Sequence, residues 1–221
     1  MEKALADANR KLNLMTSVTR HDINNQILAL QAYIDLSESG SSDPVILQYL
    51  RKAGSAVQTI QKQIAFTKQY EDIGVKAPTW QDCREILESL RSFLKGAGIE
   101  LEVQGPAMEL FADPLLPKVF ENLVDNSIRH GKHVQHITCS ASMQPDGNLT
   151  LLFQDDGEGI AENDKEKIFQ KGFGRNTGLG LFLCREILGI TGMTIRETGV
   201  PSKGACFEIT APPDVFRKQR A

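Results

Sequence analysis

The sequence lacks the marks of several classes of protein. Its 25 basic and 28 acidic residues nearly balance, and a formal charge of -3 leaves no basic surface for nucleic acid. No nucleic-acid partner is expected. No run approaches the ~18 apolar residues of a membrane span, and the opening MEKALADANRK has no apolar segment of the signal-peptide kind. No direct membrane contact by this chain is expected. The four cysteines, Cys83, Cys139, Cys184 and Cys206, stand far apart with no CxxC pair, which argues against a disulfide framework or a zinc ribbon and fits a reducing cytosol. Before residue 77 the only proline is Pro44, and aromatics are few.

That scarcity of helix breakers divides the chain. Two long stretches on either side of SESGSSDP carry helical spacing throughout, with Asp43 as N-cap and Pro44 at the first helical position, so residues 1–72 are expected to form a helical hairpin. Two helices cannot enclose a core, and the hairpin is expected to dimerise into a four-helix bundle. From residue 77 to 212 the pattern is mixed. Helices are predicted near 81–94, 114–130 and 179–190, and strands near 99–104, 108–112, 134–143, 148–155, 193–198 and 204–210. That order predicts an α+β sandwich. The closing PPDVFRKQRA reads as a polar tail without a task.

On the first helix VTRHDINNQI sets a histidine beside an aspartate. Ile23, Ile27, Leu30 and Ile34 project between about 180° and 240° from His21 and form one apolar stripe, whereas Asn25 lies only about 40° from it. His21 thus points away from the stripe. Asp22 is close enough to approach the imidazole or its proton, and Asn25, one turn on, could orient a water or a phosphoryl oxygen. Alone, this stretch reads better as a solvated helix face with a chance histidine.

In VFENLVDNSIRHG, Leu115, Leu116, Val119, Phe120, Leu123, Val124 and Ile128 form a core-facing set, while Asn122, Asn126 and Arg129 share another face. Two amides and a guanidinium suit a metal–triphosphate group, since an amide oxygen ligates magnesium without adding charge and an arginine meets phosphate. The strand in LLFQDDGEGI ends at Asp155, a carboxylate able to accept from an exocyclic amine, and Gly157 and Gly159 let the backbone pass close to a flat base. KIFQKGFGRNTGLGLFLCREIL then puts a glycine-rich loop before a helix starting near Leu179, whose free N–H groups favour anions. Each piece alone is an ordinary turn, helix start or solvated face.

In order and together they are specific. RHDINN resembles the phosphoacceptor motif of sensor histidine kinases, FENLVDNSIRHG their asparagine motif, DDGEGI the first glycine motif, IFQKGF the phenylalanine motif and TGLGLFL the second glycine motif, over about residues 10 to 212. The resemblance implies a dimeric hairpin followed by an ATP-binding domain of the GHKL type. It makes His21 the phosphorylated histidine, Asp22 its acid–base partner and Asn25 a residue for phosphatase chemistry. It makes Asn126 a magnesium ligand helped by Asn122, Asp155 the acceptor of the adenine amine, and Gly157, Gly159, Gly178, Leu179 and Gly180 the frame of pocket and lid. Arg129 and His130 would lie beside phosphates and base, and Arg175 would be the lid cation. The implied function is ATP-dependent autophosphorylation of His21 and transfer to an aspartate on a response regulator receiver domain. The protein would be a cytoplasmic portion, with a sensor or membrane region upstream, and Leu5, Leu12 and Met15 look like the continuation of a signalling coiled coil. The alternative is a nucleotide-binding phosphorelay adaptor or anti-sigma-type sequestering protein without autokinase activity.

Two positions depart from the family pattern. Gln26 follows Asn25 where many members have a proline, so no kink is expected there, and the short GRNT predicts a compact lid. Related ATPases of this fold look like E-x-x-D/N-N and use the glutamate to activate water. Here Asn122 stands in its place, and an amide cannot act as that base. Phe169 and Phe173, at i and i+4, fit core packing or a base contact, either of which could hold a lid. His130, His133 and His136 have metal-like spacing, but Gly131 breaks the helix that would align them, and a helix end running into a strand is the better account.

Overall fold

The structure, a computed structural model, describes residues 2–174 and 178–219, and of residues 2–15 and 17 the backbone alone. The described chain forms two compact units that part between Gln69 and Tyr70.

The first unit is two long helices, α1 (Glu2–Gly40) and α2 (Pro44–Asp72). The helix runs further into SESGSSDP than that cluster suggests, because the Ser37 and Ser39 hydroxyls donate to the carbonyls of Tyr33 and Asp35 and so stay inside the helix. Three residues, 41–43, make the joint. Asp43 caps α2 as expected: its Oδ1 accepts from the N–H groups of Val45 (2.8 Å) and Ile46 (3.5 Å), and Pro44 opens the helix. α1 runs unbroken past Asn25 and Gln26.

The helices share a narrow core. Ile27, Ile34 and Val57 are buried, with Leu50 and Ile64 against them, so the seam repeats every seven residues on both helices. Half of the expected stripe lies outside it, since Ile23 is 37% and Leu30 47% exposed. The reason is size: a pair of helices can bury only the line along which they touch.

The second unit layers helices on a sheet. Five strands, β2 (Glu100–Gln104), β4 (His136–Met143), β5 (Leu149–Asp155), β7 (Cys206–Ala211) and β6 (Thr194–Glu197), lie side by side in that order, β2 parallel to β4 and the other pairs antiparallel. Alternation decides what faces the helices. Ile137, Cys139, Leu149, Leu151, Phe153, Phe207, Ile209 and Ile195 are buried, and the same parity puts Asp155 on the buried face. Over that face lie α3 (Cys83–Gly96), α4 (Leu116–His130) and α5 (Gly180–Gly189). α4 buries Leu116, Val119, Phe120, Leu123 and Val124, while Leu115 and Ile128 are only half-buried.

Two strands were not expected. Residues 81–82, read as helix, belong to β1 (Thr79–Asp82), and α3 starts only after Asp82, whose Oδ1 accepts from Arg84 and Glu85 N–H. The closing polar tail contains β8 (Phe216–Lys218), which pairs with β3 (Met108–Ala112) to complete a three-stranded sheet, β1-β3-β8. Long-range contacts hold these strands: the Arg217 guanidinium lies 4.2 Å from the Trp80 ring centre and pairs with Glu109. Such pairings leave no local period to read.

All four cysteines are free and buried. Burial pushes the Cys83, Cys139 and Cys184 thiols up to about 12 and raises Cys206 as well. At pH 8 all four should remain thiols, and a disulfide reagent should label the native protein far more slowly than the protein unfolded in guanidinium; rapid native labelling of Cys83 or Cys139 would contradict this packing.

Candidate functional site

The candidate residues fall in both units. On α1, His21 and Asp22 have side chains 74% and 67% exposed. His21 Nδ1 lies 3.3 Å from Asp22 Oδ1 and 3.4 Å from Asn25 Nδ2. Adjacent helix residues do not face one another squarely, yet the aspartate rotamer closes the gap. A carboxylate can only accept, so Asp22 favours the tautomer protonated at Nδ1 and leaves the lone pair on Nε2. Asn25 reaches the same nitrogen, and its amide can turn its oxygen there as readily as its nitrogen.

In the second unit α4 carries the amides. Asn122 and Asn126 are half-buried, with Asn122 Nδ2 donating to the Gly180 carbonyl at the start of α5 (3.1 Å). The Asn126 Nδ2 is buried and has no hydrogen-bond partner among the described residues. A buried amide left open is costly unless something outside the protein completes it. Arg129 does not join them: its Nε pairs with Asp125 Oδ1 at 2.6 Å on the exposed side of the helix. His130 is exposed where α4 ends. Of the other two histidines, His133 is exposed and His136, opening β4, has its ring 3.7 Å from Glu100.

Asp155, at the buried end of β5, gathers three donors. Its Oδ2 accepts from the Ser127 hydroxyl (2.6 Å), and its Oδ1 from the N–H groups of Gly157 and Ala205 (3.0 Å each). Oδ2 retains acceptor capacity. Ser127 escaped the sequence reading, although a serine in line with Leu116, Phe120 and Leu123 on a buried helix face is itself a signal of an inward polar partner.

Gly157 and Gly159, expected to let the backbone approach a base, also make close backbone contacts within the protein. A Cβ on Gly157 would come within 2.6 Å of the Gly131 Cα, and one on Gly159 within 2.7 Å of the Gly204 carbonyl oxygen. Gly204, at φ +96, lies against the Asp155 carbonyl. Gly204 also went unread, and Gly131 was read only as the end of a helix. Gly178, at φ +57, accepts from Gly172 N–H at 3.1 Å, which ties the described residues on either side of 175–177 together. Leu179 precedes α5 without a side-chain cap, leaving the N–H groups of the first turn for an anion. Arg175 lies outside the described residues.

Of the two candidate phenylalanines, Phe169 is a packing residue. It is 2% exposed, meets Phe207 edge-on at 6.4 Å and carries the Arg185 guanidinium 4.5 Å from its ring centre, so a base contact is ruled out for it by burial. Phe173 is half-buried. Lys165 and Glu197 had no counterpart in the motifs. Glu162 foremost, with Glu197 adding to it, raises the Lys165 ammonium against the cost of burial.

Residues 112–215 match the model of the histidine kinase-, DNA gyrase B-, and HSP90-like ATPase family. The chain is 30% identical over 145 residues to the sensor protein KdpD of Escherichia coli, covering 60% of this chain and 16% of that one. Residues 112–215 thus carry an ATP-binding domain of that type, and the chain is similar to sensor histidine kinases. To the signal transduction histidine-protein kinase AtoS of Escherichia coli it is 23% identical, across 96% of this chain and 37% of that one. The chain thus spans well under half of either relative. Among solved structures, full-length ShkA in complex with AMPPNP has the same fold, with a TM-score of 0.65 at 18% identity over 94% of this chain and 46% of that one. Among the described residues no helix is long and apolar enough to cross a membrane.

Replacing Ser127 with Ala should lower stability by about 1–2 kcal/mol, because Asp155 Oδ2 would lose its only described donor in a buried place. Chemical unfolding of the purified chain checks it; an unchanged midpoint would mean that water replaces the hydroxyl at no cost.

Proposed function

We propose that this core phosphorylates His21 from ATP and passes the phosphoryl group to an aspartate on a response regulator receiver domain. One observation carries the reading: an exposed imidazole whose Nδ1 is engaged by a carboxylate, on a helix face turned from its own seam. With the Nδ1 proton held by Asp22, the Nε2 lone pair attacks the γ-phosphorus, the bond to the β–γ bridging oxygen breaks, and ADP leaves. Asp22 offsets the charge that develops on the ring. Transfer onward forms an acyl phosphate on the partner and returns His21 to the neutral imidazole.

ATP would lie between α4 and α5. Asp155 Oδ2 accepts from the adenine amine, and the uncapped N–H groups at the start of α5 meet the phosphates. Asn126, with its open amide, fits a magnesium ion beside the triphosphate, since its oxygen and nitrogen can exchange places and an amide oxygen ligates without charge. The ion would neutralise phosphate charge. Asn122, engaged with Gly180, supports Asn126 from the neighbouring turn and supplies no base for water. Arg129 can reach a phosphate only by leaving Asp125.

The hairpin would complete itself with a second copy. Ile23, Leu30, Leu36, Tyr49 and Ile60 stand open on helices that share a core of only a few residues, and burying each such side chain in a four-helix bundle is worth about 1.5–3 kcal/mol. Asn25, beside His21, is placed to orient a water against the regulator's acyl phosphate, which would make the core a phosphatase as well.

With γ-labelled ATP and Mg²⁺ the chain should form an acid-labile, alkali-stable phosphoprotein, and His21→Gln should abolish it while ADP still binds. Equal labelling of the variant would remove His21 from its role, and absence of label from the wild type would favour a nucleotide-binding adaptor. Calorimetry separates the nucleotide residues. Asp155→Ala should weaken ADP at least about tenfold, the value of one charge-assisted hydrogen bond, whereas Asn126→Ala should suppress labelling and reduce the Mg²⁺ dependence of binding. Wild-type ADP affinity in Asp155→Ala would refute the adenine contact.

A further inference from the structure

We propose that Lys165 and Glu197 are positioning residues of the nucleotide pocket, an ion pair that holds Ala205 against Asp155 and the segment entering the lid against the same strand end. The inference rests on the nucleotide reading of Asp155 and extends it to residues outside every motif.

Glu197 ends β6 with its side chain wholly buried. Its Oε1 accepts from the N–H groups of Gly199 (3.0 Å) and Cys206 (3.1 Å). Its Oε2 faces Lys165 Nζ at 3.5 Å, and that ammonium also donates to the Gly199 carbonyl (2.6 Å) and pairs with Glu162 (2.9 Å). The lysine side chain is only 15% exposed. A buried carboxylate without its cation would be strongly unfavourable, so the pair keeps residues 197–206 in one conformation.

The neighbouring backbone shows what that conformation serves. Cys206 N–H goes to Glu197, while the N–H of Ala205, the residue before it, goes to Asp155 Oδ1. Asp155 N–H returns to the Ala205 carbonyl at 3.0 Å. Two buried carboxylates therefore grip adjacent peptide units, one on the adenine side and one on the lysine side. Gly204 stacks its carbonyl against Gly159, and Ser202 N–H donates to the Glu158 carbonyl (2.7 Å), so the loop after Asp155 is registered by the same segment. Lys165 brings in the lid, because it lies a few residues before Phe169, whose packing on Phe207 anchors the lid's entry. A shift in this segment would turn Asp155 and slacken that entry together.

The test uses the full chain with Lys165→Met, Lys165→Arg and the double variant Lys165→Met/Glu197→Gln, which removes both charges and leaves none buried alone. ADP affinity, ATP KM and kcat for labelling, and hydrogen exchange at the Ala205 amide are measured below the unfolding transition. Lys165→Met and the double variant should raise the ADP Kd and ATP KM by about tenfold, with kcat within about threefold of wild type and faster exchange at Ala205. Lys165→Arg should restore all three. Should Lys165→Met not fold, the double variant decides the question by the same measurements. Wild-type Kd, KM and Ala205 exchange in a folded double variant would overturn the proposal, as would a loss of kcat alone. If the wild type itself binds no ADP, the nucleotide reading falls and this one with it; faster Ala205 exchange with unchanged Kd leaves the nucleotide reading intact and sinks only the positioning role.

Discussion

The buried carboxylate of Asp155 is the point on which the second unit turns. It sits at the end of a central strand, where the alternation that buries Leu149, Leu151 and Phe153 continues for one more step and carries a charge-bearing group inward. Such a group is tolerated only with donors, and they come from three directions: Ser127 on α4, Gly157 in the following turn and Ala205 on the approach to β7. The need to satisfy one carboxylate thus fixes how a helix, a turn and a strand meet. The glycines follow from that requirement, because Gly157 against Gly131 and Gly204 against Asp155 are backbone approaches that a side chain would prevent.

The helical unit depends on a different use of surface. The hairpin has one seam and leaves both His21 and several large apolar residues in the open. Their exposure has opposite meanings. An imidazole with its Nδ1 engaged is a reactive group presented outward, whereas Leu30 or Leu36 in water is surface awaiting cover. Both follow from a helix too long and too two-faced to be served by a single partner helix.

Much of the architecture was legible in the sequence, and what was not has a common cause. Helix periods located α1, α2, α4 and α5, the Asp43-Pro44 pair marked where α2 begins, and β3 was read at its observed ends. His21, Asp22 and Asn25 could be grouped because one turn of helix fixes their neighbourhood. β1 and β8 could not be found, since each is short and polar and exists only by pairing with β3; the Gln219 amide that donates to Asp82 joins residues more than a hundred positions apart. The sequence left Phe169 between core packing and a base contact, because an i, i+4 pair does not say which side of a segment the core will occupy, and its burial decides for packing.

The order of motifs, the helix face shared by His21 and Asn25, the alternation that turns Asp155 inward and the absence of a glutamate at position 122 are all written in the sequence. These are local properties, set by residues within a turn or a few strand steps of one another. It took the folded chain to bring Ser127 to Asp155 and Lys165 to Glu197, to hold Arg129 on Asp125 away from the amides, and to lay Gly131 beneath Gly157. Those contacts depend on strand register and on how helices settle over a sheet, which many side chains fix jointly and no single stretch of sequence records.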